Sequence, residues 1–288
     1  MKKPSTVTSQ EVKKYYDNNT GFFLSLGTGK KNKSIHRAVW GEGVQNRNEA
    51  QEYAHQLILQ TIETISTNND IHVLDLGCGV GSTLFYLAEK YPQKAHFTGV
   101  TISTQQVRMA KEINQQLGFS CRFMEADFLH LPAMELVDFA YAIEAFIHAP
   151  DAAAFFQEIT HVLKPGGRLV LIDDFLTEKG NSEPLPVKHQ QWLESVEKGW
   201  MAGSLITPTQ AGLYAKGGNL SLIQNENLTP YLELRRLRDQ LISVMVQLIG
   251  KWAYQSTYFR SLRGGDALQK CLLHGLLEYR MLVFEKKK

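Results

Sequence analysis

An alternation of strand-like and helix-like segments between residues 71 and 173 restricts the fold more than any other feature of the sequence. Short, continuously apolar runs are typical of buried strands, and apolar residues three and four positions apart are typical of helices that pack on a sheet. The predicted strands cover residues 71–76, 96–101, 121–125, 136–143 and 168–173. The predicted helices between them cover residues 82–90, 104–117 and 151–163, the last with Asp151 as its N-cap. This order predicts a parallel, doubly wound sheet with helices on both faces.

The rest of the chain predicts segments that cover or extend this sheet. Residues 48–65 have the spacing of an amphipathic helix, and shorter segments at 10–16 and 22–26 precede it. Residues 176–218 interrupt the alternation with prolines and tryptophans, which is typical of an inserted lid. After them we expect a strand at 220–225, helices at 230–254 and 267–273, and a strand at 279–284. The predicted parts are therefore an N-terminal helical cap (1–66), a ligand-binding core (67–175), the lid (176–218) and the completion of the sheet (219–288).

The composition excludes several classes of protein. Of 288 residues, 43% are hydrophobic and 21% charged, and a net charge of +2 does not provide the basic surface that nucleic-acid binding needs. Cys78, Cys121 and Cys271 form neither a disulfide framework nor a metal-binding pattern. The N-terminus lacks the apolar segment of a signal peptide, and no apolar run approaches the roughly 20 residues of a membrane span. We expect a cytoplasmic protein with a small-molecule partner, no nucleic-acid partner and no stable membrane insertion; whether it forms a homo-oligomer stays open.

Residues 73–81, Val-Leu-Asp-Leu-Gly-Cys-Gly-Val-Gly, place three glycines between the first strand and the next helix. Gly77, Gly79 and Gly81 allow a tight turn and the close approach of a ligand at the end of the strand, where such sheets bind ligands. Their spacing differs from the Gly-x-Gly-x-x-Gly of dinucleotide sites. Asp75 would repel a pyrophosphate but attract the ammonium group of an amino acid. A dinucleotide site and a purely structural turn are the alternatives.

The glycine segment resembles motif I of the class I S-adenosylmethionine (SAM)-dependent methyltransferases, and further resemblances follow along residues 70–175. Asp127 and Phe128 stand after the third strand, where the family binds the adenine ring. Lys-Pro-Gly-Gly at 164–167 resembles the turn that introduces the fifth strand. The resemblance implies SAM as the cofactor. It also implies an α/β fold: a Rossmann-like, doubly wound, mostly parallel seven-stranded sheet with an antiparallel last strand, here with an N-terminal helical cap and an inserted lid.

One position departs from the commonest pattern of this family. Most members have an acidic residue at the end of the second strand to bind the ribose, and this chain has Thr101. Together with Gln106, Thr101 resembles the arrangement in cyclopropane fatty acid synthases and tocopherol methyltransferases, which use the hydroxyl and the glutamine instead. The resemblance thus implies a cofactor site made of Asp75, Gly77, Cys78, Gly79, Gly81, Thr101, Ile102, Gln106, Asp127, Phe128 and Ala142.

Glu144 and His148 follow the fourth strand and are the candidate catalytic residues. A glutamate in an apolar run is unusual, and burial would raise its pKa and make it a usable base. The stretch resembles sterol C-methyltransferases, which carry Ile-Glu-Ala followed by His-Ala-Pro. The alternative is a structural one, in which Glu144 forms a salt bridge and His148 caps a turn. Which of the two residues is the base stays open.

The aromatic N-terminal segment is the candidate acceptor-binding region, and it resembles the segment that precedes the core in sterol and tocopherol methyltransferases. Aromatic faces suit an apolar acceptor, and they also stabilise the cation that forms when an alkene takes up a methyl group. The alternative is that these rings only pack the cap onto the sheet. The candidate residues are Tyr15, Tyr16, Phe22, Phe23, His36 and Trp40.

These features rank three functions. The first is methylation of a small, largely apolar acceptor at carbon, preferably an isoprenoid or terpenoid alkene, with Glu144 or His148 removing the proton. The second is N- or O-methylation of a natural-product or metabolite acceptor, with His148 as the base. The third is a SAM-binding protein without methyltransferase activity, or a cyclopropane-forming enzyme.

Overall fold

The computed structural model describes residues 7–26, 36–65, 70–91, 94–249 and 257–288. The strands are β1 (Ile71–Leu76), β2 (Ala95–Thr101), β3 (Arg122–Glu125), β4 (Val137–Ile143), β5 (Leu163–Leu176), β6 (Leu220–Asn227) and β7 (Leu277–Lys286). The α-helices are α1 (Ser9–Leu26), α2 (Arg47–Glu63), α3 (Ser82–Lys90), α4 (Thr104–Leu117), α5 (Ala152–Val162), α6 (Val187–Trp200), α7 (Pro208–Gly217), α8 (Leu237–Ile249) and α9 (Thr257–Leu273).

The strands form one seven-stranded sheet in the order β3-β2-β1-β4-β5-β7-β6. The first five strands of the chain run parallel, and β7 lies antiparallel between β5 and β6. The strand order reverses between β1 and β4, so the carboxyl ends of both open onto one crevice, which is where such sheets bind ligands. The predicted mostly parallel, doubly wound sheet with an antiparallel last strand is confirmed.

Helices cover both faces of the sheet, as the alternation predicts. On one face the core consists of apolar residues of α2, α3 and α4 against β1 and β4, including Ile58, Leu84 and Ala110. On the other face α5 and α7 bury aromatic and small side chains. Asp151 caps α5 by accepting hydrogen bonds from two backbone amides of the first turn, at 2.8 and 3.0 Å, so the predicted N-cap is confirmed.

Several segments are built differently from the prediction. α1 is one continuous helix rather than two short segments. The turn predicted at 164–167 is a wide bulge within β5, because Val137 pairs with Leu163 while Phe139 pairs with Arg168. The long helix predicted from Pro230 begins only at Leu237, because residues 229–231 form a short 3-10 turn.

The predicted lid at 176–218 contains two helices with different surroundings. α6 packs against α9, in a buried cluster that includes Leu176 at the end of β5 and Leu277 at the start of β7. α7 packs beside α5, and its Ala211 and Ala215 are fully buried there, so α7 belongs to the helical layer of the sheet. Only the part before α7 is left to act as a lid. The division of the chain into cap, core, lid and C-terminal part stays a prediction. Among the residues that the structure describes, no helix is both long and apolar enough to cross a membrane.

Candidate active site

A cavity of about 660 Å³ lies at the carboxyl ends of β1, β2, β4 and β5. The segments that follow these strands form its floor, and α1, α8 and α9 close it from the other side. Its volume falls within the roughly 300–1,000 Å³ of pockets that enclose small molecules. We call the part beside the glycine loop the cofactor end. The part around Glu144 and the three closing helices is the acceptor end.

The glycine loop has the backbone that only glycine adopts easily. Gly77, Gly79 and Gly81 have φ angles of 84°, 54° and 90°, in the left-handed region. A Cβ on Gly77 would lie 2.5 Å from the Cβ of Ala145, whereas a Cβ on Gly79 would have no protein atom within 4 Å. The loop therefore packs tightly on its inner side and leaves open space on the cavity side. This shape fits a ligand that lies directly against the backbone.

Asp75 lies beneath this loop rather than in the cavity wall. Its side chain is buried and accepts a hydrogen bond of 2.9 Å from the Tyr141 hydroxyl. Burial raises the pKa of Asp75 to about 7, against the lowering effect of that hydrogen bond. Like Asp75, the predicted cofactor residues Gly81 and Ala142 do not line the cavity. All three support the loop or the strand next to it.

The remaining predicted cofactor residues do line the cofactor end. The Thr101 hydroxyl donates a hydrogen bond of 2.7 Å to the Gln106 side-chain oxygen, so the amide group of Gln106 is oriented at the end of β2. One oxygen of Asp127 accepts a hydrogen bond of 2.9 Å from the Leu129 backbone amide. This wall therefore combines open glycine backbone with hydroxyl, amide and carboxylate groups, a donor and acceptor set that fits the amino-acid and adenosine parts of SAM. The predicted residues that line it are Gly77, Cys78, Gly79, Thr101, Ile102, Gln106, Asp127 and Phe128.

Glu144 stands at the acceptor end in a strained backbone conformation. Its φ of 51° is unusual for a residue with a side chain and costs on the order of 1–3 kcal/mol. Its backbone amide donates to the Ile172 carbonyl at 2.8 Å, which fixes the turn after β4 against β5. Such strain persists only where the surroundings hold it, and it directs the carboxylate into the cavity wall.

Three hydrogen bonds converge on one oxygen of Glu144. The Arg37 backbone amide, the Arg37 Nε and the Tyr279 hydroxyl donate to Oε1 at 3.0, 3.2 and 2.9 Å. Burial alone would raise the pKa of Glu144, but the charges of Arg37 and His36 and these hydrogen bonds outweigh it and lower the pKa. The predicted raised pKa is therefore wrong, because the salt bridge of the alternative interpretation is present. Glu144 is a buried carboxylate, and no described residue donates to its Oε2.

Arg37 connects Glu144 to a second carboxylate that sequence reasoning missed. Its two terminal nitrogens donate to the two oxygens of Asp174 at 2.9 and 2.7 Å, and its guanidinium stacks 4.1 Å from the centre of the Tyr279 ring. The pairing of β5 with β7 sets Asp174 opposite Tyr279, so strand register assembles the cluster. Asp173, the neighbour of Asp174, accepts from the Ile147 amide at 2.9 Å, and burial raises its pKa to about 8. The signal in the sequence is two adjacent acids inside the apolar run of β5.

His148 reaches the cavity together with Tyr16 of α1. Its Nδ1 lies 3.2 Å from the Met201 carbonyl oxygen, so this nitrogen carries the proton, and Nε2 accepts from the Tyr16 hydroxyl at 2.7 Å. Burial lowers the pKa of His148 and raises that of Tyr16 well above its ordinary value. A neutral imidazole thus orients a neutral phenol. The alternative interpretation, in which His148 only caps a turn, does not account for its hydrogen bond with Tyr16.

The predicted acceptor residues divide into three groups. Tyr15, Tyr16 and His36 line the cavity. Trp40 lies outside it, where its backbone amide donates to the Tyr231 carbonyl at 2.7 Å. The side chains of Phe22 and Phe23 lie outside the described residues.

Helix α1 is fixed over the cavity by a lysine. The Lys13 ammonium donates to the Ile102 carbonyl at 2.7 Å, the Thr104 hydroxyl at 2.9 Å and the Glu125 carboxylate at 2.7 Å. These partners belong to the ends of β2 and β3 and to the start of α4. Because Tyr15 and Tyr16 follow on the same helix, this contact places both rings over the cavity.

Comparison with known proteins agrees with this geometry. Residues 67–235 match the family model of a methyltransferase domain. Cycloartenol-C-24-methyltransferase 1 of Oryza sativa subsp. japonica is 31% identical over 83% of this chain and 69% of its own length. Cycloartenol-C-24-methyltransferase of Arabidopsis thaliana is 34% identical over 84% of this chain and 71% of its own length.

The fold is also that of a solved structure in the same group. The cyclopropane synthase MmaA2 of Mycobacterium tuberculosis superimposes with a TM-score of 0.73 over 98% of this chain and 99% of its own, at 19% identity. This likeness concerns the fold alone. The sequence match and the loop geometry together lead to one assignment: the chain belongs to the class I SAM-dependent methyltransferases, in the group that includes the sterol C-methyltransferases, and SAM is its cofactor.

Proposed function

We propose that this methyltransferase acts on a carbon atom of a bulky apolar acceptor, an isoprenoid or terpenoid alkene. The observation that carries the proposal is the cluster at the acceptor end, where Glu144 and Asp174 share the single positive charge of Arg37. When an alkene takes up a methyl group it becomes a carbocation, and a cavity wall with an excess of negative charge stabilises that cation. SAM supplies the methyl group, which its sulfonium makes electrophilic.

Glu144 is the base in this proposal. The new carbon–carbon bond uses the π electrons of the alkene and leaves a positive charge on the neighbouring carbon. Loss of a proton from an adjacent C–H returns its electron pair to form a new double bond, and Oε2 of Glu144 accepts that proton. A C–H beside a carbocation is far more acidic than a carboxylic acid, so a carboxylate with a lowered pKa is a competent base.

The other walls of the acceptor end suit such a substrate. The Tyr16 ring lines the cavity beside His148 and offers an aromatic face, which stabilises a cation. Helices α1, α8 and α9 contribute apolar side chains, which exclude water from the cation, beside polar ones such as Asp266 and Gln269. The apolar lining includes Val12, Ile147, Ile242, Met245, Leu268 and Leu272.

The names of the relatives support carbon as the acceptor atom. Both plant relatives are named for methylation at carbon 24 of cycloartenol. At 31% and 34% identity these names do not assign cycloartenol as the acceptor of this chain, so the proposal extends only to the class of acceptor.

A second candidate function rests on the Tyr16–His148 pair. A hydroxyl or amine acceptor needs a group that removes its proton as the methyl is transferred. The 2.7 Å hydrogen bond from Tyr16 to the unprotonated nitrogen of His148 provides a route for that proton out of the cavity. In this case His148 would be the base, as the sequence interpretation of N- or O-methylation requires.

The deciding experiment uses SAM with a labelled methyl group and a panel of isoprenoid alkenes, phenols and amines, with products identified by mass spectrometry. We expect methylated alkenes, and we expect Glu144→Gln to lower their formation about 100-fold or more, within the range for loss of a general base. Tyr16→Phe should have a much smaller effect. Glu112→Gln on the exposed face of α4 is the matched control.

Each variant must bind SAM like the wild type before its turnover is compared, because Glu144 also holds the turn after β4. Methylation of phenols or amines alone, lost in Tyr16→Phe and His148→Gln but kept in Glu144→Gln, would replace the carbon proposal with the second candidate.

A further inference from the structure

Helix α8 carries a row of apolar side chains that face away from the protein. Leu237, Leu241, Val244 and Leu248 are between 55% and 82% exposed. Their spacing of four, three and four residues places them on one narrow side of the helix. Single exposed leucines are common on protein surfaces, but a continuous row of this kind marks a surface that contacts something apolar. We call these four residues the α8 stripe.

The adjacent side of the same helix faces the acceptor end of the cavity. Ile242 and Met245 line the cavity, and Val246 is buried. A single helix therefore separates the cavity from the surface that carries the α8 stripe. Whatever covers the stripe lies one helix diameter from the acceptor.

Positive charge flanks the N-terminal end of the stripe. Arg235 and Arg238 are exposed before and after Leu237 in the chain, and Arg238 stands at the edge of the cavity, which it lines together with Ile242 and Met245. The acid nearest to them, Asp239, is buried, and it accepts from the Arg236 backbone amide at 3.2 Å and the Arg236 Nε at 2.9 Å. Arg238 itself lies 3.6 Å from the same carboxylate through its Nε.

The second acid of this region is also paired. Glu233 lies 3.2 Å from Arg47 and 3.7 Å from Arg236, so its charge is compensated by two arginines. The outward face at the start of α8 is thus positive. A surface with a row of leucines and two arginines beside it is complementary to a bilayer that contains anionic lipids.

From these contacts we propose that α8 docks the enzyme on the surface of an anionic membrane. The α8 stripe enters the boundary between headgroups and acyl chains, and Arg235 and Arg238 contact lipid phosphates. The helix lies along the bilayer and does not cross it. The cavity wall formed by Ile242 and Met245 then stands next to the lipid phase, from which an apolar ligand reaches the protein without passing through water.

A second copy of the chain fits the stripe less well. Stable dimers bury roughly 800 Å² on each partner. One file of four side chains on one helix, with arginines beside it, is a narrow surface for that purpose, and two such faces would bring like charges together. An amphipathic helix at a membrane inserts only its apolar side, and this is the part that α8 exposes.

The test is flotation of the whole protein with vesicles of phosphatidylcholine, alone or with roughly 30% phosphatidylglycerol. We expect binding to the anionic vesicles.

The variant L237S/L241S/L248S should bind about 10-fold or more weakly, because it removes most of the inserted apolar area. The control V187S/L213S/I223S removes three exposed apolar side chains from α6, α7 and β6 and should bind within about twofold of the wild type. Arg235→Gln should weaken the preference for anionic vesicles, and about 0.5 M NaCl should remove it.

A second variant reports insertion directly. Leu241→Trp places a fluorophore in the α8 stripe, and its emission should shift to shorter wavelength when anionic vesicles are added. All variants lie on exposed positions, so thermal unfolding with and without SAM should match the wild type and confirms that each is folded.

Three outcomes would overturn the proposal. The wild type does not float with either vesicle, the α8 variant floats like its control, or the wild type sediments as a dimer that only the α8 variant disrupts. Because the measurement uses no acceptor, failure here would leave the carbon-methylation proposal untouched, and failure of that proposal would leave vesicle binding unchanged.

Discussion

Each end of the cavity has a largely enclosed carboxylate beside it, Asp75 at one end and Glu144 at the other. The pKa of Asp75 is raised, whereas that of Glu144 is lowered. Beneath the glycine loop, Asp75 of β1 has the neutral Tyr141 hydroxyl as its one hydrogen-bond partner among the described residues, and burial raises its pKa to about 7. At the acceptor end Glu144, after β4, has Arg37 as its partner, and its pKa is lowered although it is also largely enclosed. The charge of Arg37 therefore outweighs burial at Glu144 but not at Asp174, whose pKa burial raises although it binds the same guanidinium.

The two ends also differ in how they are assembled. The cofactor end is largely made by backbone within residues 73–81 and by short segments after β2 and β3. The acceptor end joins Arg37, Glu144, Asp174 and Tyr279, which are far apart in the sequence. We therefore expect substitutions in the charged cluster to change stability strongly and SAM binding little. Substitutions in the glycine loop should change SAM binding strongly and stability little.

The largest effect is expected from Arg37→Ala. It leaves Glu144 and Asp174 buried without their cation, which should lower the free energy of unfolding by about 3–5 kcal/mol at pH 7. Without Arg37, burial should raise the pKa of both carboxylates above their unfolded-state values, so the variant should recover stability as they take up protons at falling pH. Its deficit should therefore shrink between pH 7 and about pH 4, as urea unfolding at several pH values would measure.

Two further variants sharpen this prediction. Arg37→Lys keeps the charge without the paired contact to Asp174 and should lie between wild type and Arg37→Ala. Adding Glu144→Gln and Asp174→Asn to Arg37→Ala should recover part of the loss, because fewer unpaired charges stay buried. A deficit below about 1 kcal/mol, or one that does not change with pH, would mean that the cluster does not hold the acceptor end together.

The same contrast explains what the sequence could predict. The alternation of elements and the glycine spacing predicted the sheet and the position of the cofactor end, because both depend on neighbours along the chain. The sequence also identified Glu144 and His148, yet it predicted the wrong pKa shift for Glu144, because Arg37 reaches it only through the tertiary fold. Asp174 and Tyr279 were missed because only the pairing of β5 with β7 brings them to the cluster.

An intermediate effect is expected from Asp75→Asn. Because the pKa of Asp75 is raised above its unfolded-state value, the proton it keeps stabilises the fold at acid pH, and this effect is lost as pH rises to about 7. Asparagine has no such titration and still accepts from Tyr141. The variant should therefore gain stability relative to the wild type between pH 4 and pH 7, by roughly 2–4 kcal/mol, and the difference should be constant above pH 8.

Two measurements separate the possible roles of Asp75. Thermal unfolding of both proteins across this pH range gives the stability difference, and titration with SAM at pH 8 gives the affinity. Because Asp75 lies beneath the glycine loop and does not line the cavity, we expect SAM to bind the variant within about twofold of the wild type. Binding that is about 10-fold weaker would instead assign Asp75 a contact with the amino-acid part of SAM.

The smallest effect is expected where the two ends are joined, at Lys13 of α1. Its ammonium binds the ends of β2 and β3 but is about one third exposed, so Lys13→Gln should cost less than about 1 kcal/mol of stability. Because α1 covers the cavity, SAM should dissociate about two- to fivefold faster from the variant, and salt should reduce the difference. Lys14→Gln, one residue along and exposed, should leave the rate unchanged. Equal dissociation rates for both variants in a stopped-flow experiment would mean that the cover over the cofactor end is held by the apolar contacts of Val12 and Tyr15 instead, and the two ends would then be joined by packing rather than by charge.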